Sequence, residues 1–181
     1  MQRTEVHPAQ GQIQLPPQWR PWLLDRGSLT QRLIELSQGH FSVRVLNFQF
    51  DYPSLNERKQ LKLPERRVTL IREVELLCRN IPAVYARSII PLNTLTGKEK
   101  QLRKLGKTPL GAVLFRSKAM HRGPITLCHE RVKDIPGLRA RQNRHIDAEF
   151  KIWGRSSLFF LHEKPILVAE YFLPELLSLI R

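Results

Sequence analysis

Apolar and polar residues alternate along much of the chain, and a period of two is typical of β-strands buried on one face. The alternation predicts strands over residues 41–50, 68–78, 83–90, 125–132, 157–162 and 166–172, with a further candidate over residues 148–153. The phase shifts between Val45 and Leu46, which indicates a β-bulge. Short connections around Asn80 and Lys164 predict hairpins. The polar, proline-marked segment between the first two strands is expected to form a loop.

A longer, helical period runs through residues 22–37. Leu29, Leu33 and Leu36 are three or four positions apart, so they fall on one face of a helix. Ser28 carries a hydroxyl suited to cap a first turn, where backbone N–H groups have no helical acceptor. We therefore predict a helix at residues 22–37 whose apolar face packs on the strands.

Two more helices are predicted between the third and fourth strands. Thr96 and Glu99 have the spacing of a capping box, which predicts a basic helix that ends at Gly106. Thr108 followed by proline predicts the N-cap and first residue of a second helix over residues 109–116. Hairpin-linked strands with helices inserted between them are the pattern of an α+β protein built on an antiparallel sheet.

The chain has the length of one domain. With 181 residues, 41% of them apolar, it is expected to bury a core without metal ions or disulfides. We assign a single domain to residues 21–181 and interpret the polar, Gln- and Pro-rich residues 1–20 as a flexible lead-in. Cys78 and Cys128 lie in apolar stretches and are expected to be reduced thiols of a cytoplasmic protein. No run of eighteen apolar residues predicts a membrane span.

The composition is strongly basic, with 30 Lys and Arg residues against 16 Asp and Glu residues and a net charge of +14. Such a charge favours an anionic partner, which could be nucleic acid, an acidic membrane surface or a small anion. The basic residues are dispersed, and no zinc-finger, helix-turn-helix or aromatic-rich RNA-binding pattern accompanies them. We interpret the excess charge as a solvated surface or as attraction for a small anion. The six histidines lack the spacing of metal ligands.

Two charged residues fall on the apolar face of predicted strands. In strand 68–78 the even positions are apolar except for Arg72, and in strand 166–172 they are apolar except for Glu170. An unpaired buried charge is unfavourable by several kcal/mol, so each residue needs a partner. One interpretation is an ion pair between the two. The other is an internal cavity with a cationic end that binds a carboxylate and an anionic end that handles a proton or a hydroxyl.

Two further positions are candidates for the same cavity. The sequence Pro109-Leu110-Gly111 begins a predicted helix, where free backbone N–H groups favour an anionic oxygen, although a plain helix start needs no ligand. Arg155 follows Gly154, which permits a close backbone approach. The alternative for Arg155 is an ordinary surface arginine after a turn.

Six segments carry a family resemblance. They are WLLDRGSLTQRL at 22–33, IREVELLC at 71–78, ARSIIPLNTL at 86–95, LGKTPLGAVLF at 105–115, WGRSS at 153–157 and AEYFLP at 169–174. The combination of LGKTPLG, WGR and E-x-F-L-P is specific. These segments resemble the chorismate pyruvate-lyase family, whose members make 4-hydroxybenzoate, and the resemblance extends over residues 22–175.

The resemblance implies a six-stranded antiparallel sheet whose helices cover an enclosed ligand site. It also implies a carbon–oxygen lyase that needs no cofactor and removes pyruvate from chorismate. The family's ligand-contacting positions fall here on Leu29, Arg72, Leu110 and Glu170, with the two leucines acting through backbone N–H groups. Arg72 and Glu170 are the catalytic candidates: Arg72 would bind a carboxylate, and Glu170 would lie near the ring hydroxyl.

The role of Glu170 has two interpretations. It could act as a general acid/base or as a positioning acceptor, and an internal pericyclic hydrogen transfer could proceed while the protein holds a reactive conformer. The alternative to an enzyme is a non-catalytic sensor domain of related fold that binds an aromatic carboxylate. Such a protein should carry a helix-turn-helix region ahead of the sensor, and residues 1–21 are short for one. We expect a monomer with no nucleic acid partner.

Two departures from the family resemble its cyanobacterial and plastid branch. Many members have arginine where this chain has Ser156, which would remove a positive charge near the site, and segment 128–147 is longer than in short bacterial members. The branch implies plastoquinone rather than ubiquinone as the destination of 4-hydroxybenzoate. It also implies the plastid stroma as the alternative to the cytoplasm.

Overall fold

The computed structural model describes residues 15–138 and 147–180, so residues 1–14 of the predicted lead-in lie outside the described residues. Within these ranges the chain forms the helices α1 (Arg20–Leu23), α2 (Leu29–Leu36), α3 (Leu55–Gln60), α4 (Leu110–Arg116) and α5 (Glu175–Leu179). Two segments, Gly97–Lys104 and Val132–Asp134, are 3-10 helices. None of the described helices has the length and apolar character needed to cross a membrane.

Seven described strands form one antiparallel sheet. They are β1 (Phe41–Asp51), β2 (Thr69–Cys78), β3 (Ile81–Pro91), β4 (Met120–Arg122), β5 (Thr126–Arg131), β6 (Lys151–Leu161) and β7 (Lys164–Phe172). The order is β1-β2-β3-β7-β6-β4, and β5 also pairs with β6. The predicted bulge is confirmed by a register shift between Val45 and Asn47. The α+β class and the antiparallel sheet are confirmed, with seven strands in place of six.

The sixth strand differs from the sequence prediction. Residues 151–153 and 157–161 of the two predicted strands belong to one continuous strand, β6, because Gly154 lies within the strand and not in a turn. Residues 148–150 and 162, which were predicted as strand, lie outside it. A Cβ atom at Gly154 would lie 2.7 Å from Cδ1 of Tyr171 and 2.8 Å from Sγ of Cys128. The glycine therefore lets side chains of the two neighbouring strands meet over β6.

The helix predicted at residues 22–37 is two helices, α1 and α2, separated by a turn. In that turn the N–H of Gly27 donates a hydrogen bond of 2.7 Å to Oδ1 of Asp25. A side-chain acceptor of this kind competes with the helix for backbone N–H groups. Ser28 is the N-cap of α2, as predicted, and its hydroxyl accepts a hydrogen bond from the N–H of Gln31.

The predicted capping box does not form. Gly97–Lys104 is a 3-10 helix without a side-chain cap. The hydroxyl of Thr96 donates to the carbonyl of Asn93, and the carboxylate of Glu99 binds Nζ of Lys164 at 2.7 Å. The Glu99 carboxylate, which the local pattern predicts to cap the helix start, thus binds a residue of the distant strand β7 instead.

Two other helix starts also differ from expectation. Helix α4 has Pro109 at its N-cap, where Thr108 was the predicted cap. Helix α3 occupies the segment expected to be a loop, and Ser54 and Glu57 form a complete capping box at its start. The Ser-x-x-Glu spacing is a helix signal that a proline-marked, polar segment obscures.

Both faces of the sheet are covered, and every residue of β2 is buried. On one face, which we call the cavity face, α2 and α4 lie over Arg72 and Val74. On the opposite face, which we call the far face, Tyr85 packs with residues of the segment 132–138. Cys78 and Cys128 are free thiols.

Candidate active site

A cavity lies between the cavity face of the sheet and the helices α2 and α4. All four positions predicted to contact a ligand, Leu29, Arg72, Leu110 and Glu170, line this one cavity. They come from two helices and two strands that are far apart in the sequence. The fold therefore brings together the residues that the family resemblance selected.

Arg72 is buried at one end of the cavity, with 2% of its surface exposed. Its Nη2 donates hydrogen bonds of 3.0 Å to the carbonyl oxygens of Gly106 and Thr108, just before α4. Its Nε is buried and has no hydrogen-bond partner within residues 15–138 and 147–180. Burial lowers the pKa of this guanidinium to about 10. The group therefore offers an anion both a charge and an unused donor.

Glu170 lies at the other end of the cavity. In the sheet Arg72 is opposite Ser88 of β3, whereas Glu170 of β7 is opposite Ala86. Ordinary strand spacing then separates the α-carbons of Arg72 and Glu170 by about 12 Å. Of the two interpretations of Arg72 and Glu170, the ion pair between them is wrong, since Oε2 of Glu170 binds Nε of Arg155 at 2.6 Å.

Arg155 is a buried residue of β6 and not a surface arginine after a turn. Its side chain is 1% exposed, and Nη1 donates to the carbonyl oxygens of Trp22 at 2.7 Å and Asp25 at 2.5 Å. Its guanidinium lies 5.6 Å from the ring centre of Phe172. Arg155 thus ties the carboxylate of Glu170 to the turn between α1 and α2.

Ser156, where many family members have arginine, lies on the far face of β6. Side chains alternate along a strand, so Ser156 and Arg155 point to opposite sides. Ser156 is paired with Ala169, which packs against the far-face cluster around Tyr85. The departure from the family therefore leaves the charge that lines the cavity unchanged. Residues 139–146 of the longer segment lie outside the described ranges.

Arg122 is a cavity residue that sequence reasoning missed, because its strand β4 is too short for alternation to assign a face. Its side chain is 6% exposed, and Nη2 lies 4.0 Å from Oε2 of Glu170, beyond hydrogen-bond distance. Nε donates to the hydroxyl of Ser157 at 3.1 Å, and Nη1 donates to the carbonyl of Asp25 at 3.3 Å. Burial, followed by the nearby charge of Arg155, lowers the pKa of Arg122 to about 10.

The roof of the cavity is formed by two helix starts. Leu29 is the first residue of α2 and Leu110 is the first residue of α4. Backbone N–H groups in the first turn of a helix have no acceptor within the helix. The two helices meet closely here, since a Cβ atom at Gly111 would lie 2.8 Å from Oγ1 of Thr30.

The arrangement suits a ligand with an apolar middle and polar groups at both ends. Val74, Phe159 and Val168 provide apolar walls between the charged ends. Arg72 offers a cation to a carboxylate, and Glu170 offers an acceptor to a hydroxyl. Within the part of the chain that the structure describes, no group of three or more His, Cys, Asp or Glu side chains is placed to hold a metal ion.

Comparison with known sequences gives a consistent result. A family model described as chorismate lyase matches residues 2–181. A probable chorismate pyruvate-lyase of Methylococcus capsulatus is 40% identical over 159 residues, which are 87% of this chain and 95% of that protein. A probable chorismate pyruvate-lyase of Azoarcus sp. (strain BH72) is 37% identical over a match that covers 96% of each protein.

Comparison with solved structures concerns the fold alone. PhnF of Mycobacterium smegmatis matches with a TM-score of 0.60 at 14% identity, over 84% of this chain and 66% of that chain. The effector domain of PhnF, solved separately, matches with a TM-score of 0.58 at 13% identity, over 84% of this chain and 91% of that chain. The sheet with its covering helices is therefore an architecture that effector domains also use.

Proposed function

The chain belongs to the chorismate lyase family, and on this premise we propose that it eliminates pyruvate from chorismate to form 4-hydroxybenzoate for quinone biosynthesis. The observation that carries the proposal is the unpartnered, buried Nε of Arg72 at the cavity. Leaving a buried polar group unsatisfied costs about 1–3 kcal/mol, and more when the group is charged. A carboxylate bound at Arg72 removes that cost.

Arg72 binds the ring carboxylate of chorismate, assisted by the backbone N–H of Leu110. The carbonyl oxygens of Gly106 and Thr108 hold Nη2 of Arg72, so the guanidinium is fixed before the ligand arrives. Leu29 closes the roof from α2. The ring then lies between apolar walls, and its C4 hydroxyl points to Glu170.

The elimination breaks the bond between ring C3 and the enolpyruvyl oxygen, and it removes the hydrogen from ring C4. The ring becomes aromatic, and the methylene carbon of the leaving enolpyruvate gains one hydrogen to become the methyl group of pyruvate. Atoms and electrons balance within the substrate. The protein's contribution is to orient the ring and to control the hydrogen at C4.

Glu170 either moves a proton or positions the hydroxyl, and Glu170→Gln separates these roles. Proton transfer by Glu170 predicts a loss of about 10²–10⁴ in kcat with binding of 4-hydroxybenzoate retained. Positioning, with an internal hydrogen transfer, predicts a loss of less than about tenfold, since the amide oxygen still accepts a hydrogen bond. Single-turnover rates measure the difference without a contribution from product release.

The direct test is to mix the purified protein with chorismate, without added metal or cofactor, and to quantify both products. The proposal predicts 4-hydroxybenzoate and pyruvate in equal amounts, lost in Arg72→Ala and retained in Arg116→Ala, a change at an exposed residue. Tight binding of 4-hydroxybenzoate without turnover would instead support a sensor built on this cavity. Absence of both binding and turnover would reject the enzyme and the sensor alike.

The protein acts as a monomer in a reducing compartment under this proposal, either the cytoplasm or the plastid stroma. The cavity is lined by residues of one chain, and Cys78 and Cys128 are free thiols. In the plastid the product would supply plastoquinone. Light scattering tests the monomer, and a steep loss of polynucleotide affinity with salt would reveal an additional nucleic acid partner.

A further inference from the structure

One buried cation of the cavity has no role in binding the ring carboxylate or the C4 hydroxyl. Arg122 lines the cavity with a side chain that is 6% exposed. Glu170 balances this charge only in part, because its Oε2 binds Nε of Arg155 at 2.6 Å and lies 4.0 Å from Nη2 of Arg122, the outer limit of an ion pair. A buried guanidinium without a carboxylate at hydrogen-bond distance is incompletely compensated. Its position therefore points to an anion that arrives with the ligand.

The charges at the cavity correspond to a ligand with two negative charges. The net charge is +2 when three arginines are counted with one carboxylate. The arginines are Arg72, Arg122 and Arg155, and the carboxylate is Glu170. Chorismate carries two carboxylates, on the ring and on the enolpyruvyl group. The product 4-hydroxybenzoate carries one, and Arg72 is sufficient for it.

We propose that Arg122 binds the carboxylate of the enolpyruvyl group, an inference that rests on the proposed lyase function. The enolpyruvyl ether is attached to ring C3, next to the C4 hydroxyl. With the ring carboxylate at Arg72 and the C4 hydroxyl at Glu170, the C3 substituent lies at the Glu170 end of the cavity. Arg122 is the second cation at that end.

The contacts of Arg122 hold its guanidinium in one orientation. Nε is bound to the hydroxyl of Ser157, Nη1 is bound to the carbonyl of Asp25, and the ring of Phe159 lies 4.9 Å from the guanidinium carbon. The carboxylate of Asp25 is bound to Arg32 at 3.2 Å. The Nη2 edge of Arg122 is therefore the edge that can take a carboxylate.

The same contact assists the reaction. As the C3–O bond breaks, negative charge develops on the enolpyruvyl oxygen, and a fixed guanidinium nearby stabilises that charge. Arg122 then favours substrate and transition state over 4-hydroxybenzoate, which has lost the group that Arg122 binds.

The experiment compares ligands with one and two carboxylates in the wild-type protein and Arg122→Gln. We expect kcat/KM for chorismate to fall about 10- to 100-fold in the variant, the usual worth of a charged hydrogen bond. The Kd of 4-hydroxybenzoate, measured by calorimetry, should change by less than about threefold, because that ligand depends on Arg72. Arg116→Gln, at an exposed arginine of α4, is the matched control.

A stable dianion gives a second readout that does not require turnover. The probe is 4-hydroxybenzoate with a carboxymethoxy group at ring C3, which places a second carboxylate where chorismate has one. The wild-type protein should bind this probe more tightly than 4-hydroxybenzoate, and Arg122→Gln should lose the preference. Arg122→Lys keeps the charge without the planar guanidinium, so this variant should retain part of the preference for the dianion.

Equal weakening of both ligands in Arg122→Gln, or unchanged binding of both, would overturn the inference. If Arg122→Gln lacks a cooperative unfolding transition, the same comparison of the two ligands is made with Arg122→Lys, and that variant tests the inference. If the wild-type protein fails to convert chorismate while the Arg122-dependent preference for the dianion persists, the lyase proposal fails and the second carboxylate site stands.

Discussion

The two faces of the sheet bury the same kind of charge in different ways. On the far face, Nε of Arg87 donates to Glu57 at 2.6 Å, and Nη1 of Arg87 donates to Glu73 at 2.6 Å. The hydroxyl of Tyr85 donates to the same oxygen of Glu73 at 2.8 Å. On the cavity face, Arg72 contacts two carbonyl oxygens and keeps one buried donor without a partner among the described residues.

The pKa values of the two arginines shift in opposite directions. Burial alone would lower the pKa of Arg87, but its bonds to Glu57 and Glu73 outweigh burial and raise it. Burial lowers the pKa of Arg72 to about 10, since carbonyl oxygens compensate a charge less than carboxylates do. The charge of Arg87 is neutralised by carboxylates of the chain, whereas the charge of Arg72 is left incompletely paired, as we propose for a group that binds a ligand.

The largest expected effect on stability comes from Arg87→Gln. The variant leaves Glu57 and Glu73 near each other without their shared cation, and breaking a buried ion pair in this way costs about 3–5 kcal/mol. Urea denaturation should show this loss in the free energy of unfolding, with a smaller loss in Arg87→Lys. The affinity of the folded protein for 4-hydroxybenzoate should be unchanged. Lost affinity with intact stability would contradict the separation of the two faces.

A smaller effect is expected from Gly111→Ala in the cavity roof. The new methyl group would lie 2.8 Å from Oγ1 of Thr30, so the Thr30 side chain must rotate or α4 must move away from α2. We expect a loss of about 1–2 kcal/mol in unfolding free energy, because overpacking outweighs the better helix propensity of alanine. A lower kcat/KM for chorismate should accompany it.

The double variant Gly111→Ala/Thr30→Ala is the control for this clash. It removes Oγ1 and should recover most of the lost stability and kcat/KM relative to Thr30→Ala alone. Failure of the second change to rescue the first would show that Gly111 serves something other than close packing of α2 and α4.

Tyr85→Phe should have an effect of about 1 kcal/mol on the free energy of unfolding, the net value of one hydrogen bond. The effect is modest because Glu73 remains bound to Arg87 after the hydroxyl is lost. Turnover of chorismate should equal that of the wild-type protein, since Tyr85 is on the far face. Reduced turnover with normal stability would count against a purely structural far face.

The smallest expected effect concerns Glu99, a paired carboxylate near the hairpin between β6 and β7. Its hydrogen bond to Lys164 lowers the pKa of the carboxyl below its usual 4.5. A depressed pKa in the folded state adds stability above the unfolded pKa, and this stability is lost as the pH falls through the folded pKa. Glu99→Gln should therefore make the unfolding midpoint less sensitive to acid below about pH 5. An unchanged acid profile would contradict this pairing.

Strand parity was enough to predict two of the charges in the cavity. Arg72 and Glu170 interrupt regular apolar positions of strands long enough for a period of two to be visible. Their partners could not be predicted in the same way, because which strands are neighbours is decided by the order of the whole sheet. The Arg72–Glu170 ion pair is therefore not formed, and the cations near Glu170 are Arg155 of β6 and Arg122 of β4.

The local capping signals of α2 and α3 match the structure. Ser28 caps α2 as its sequence predicts, and Ser54 with Glu57 caps α3 through the same chemistry. Glu99 has the same local spacing but binds Lys164 of a distant strand. A short-range sequence pattern therefore predicts a helix start only when tertiary contacts still allow the capping side chains to bind the helix start.

The central claim is that Arg72 is buried for a ligand carboxylate and not for the fold. The most direct measurement is calorimetric binding of 4-hydroxybenzoate to the wild-type protein and to Arg72→Gln, together with urea unfolding of both. We predict that the variant binds at least about 10-fold more weakly, while loss of the contacts to the carbonyl oxygens of Gly106 and Thr108 lowers its unfolding free energy by less than about 3 kcal/mol. Unchanged binding, or a loss of stability as large as that of Arg87→Gln, would contradict the claim.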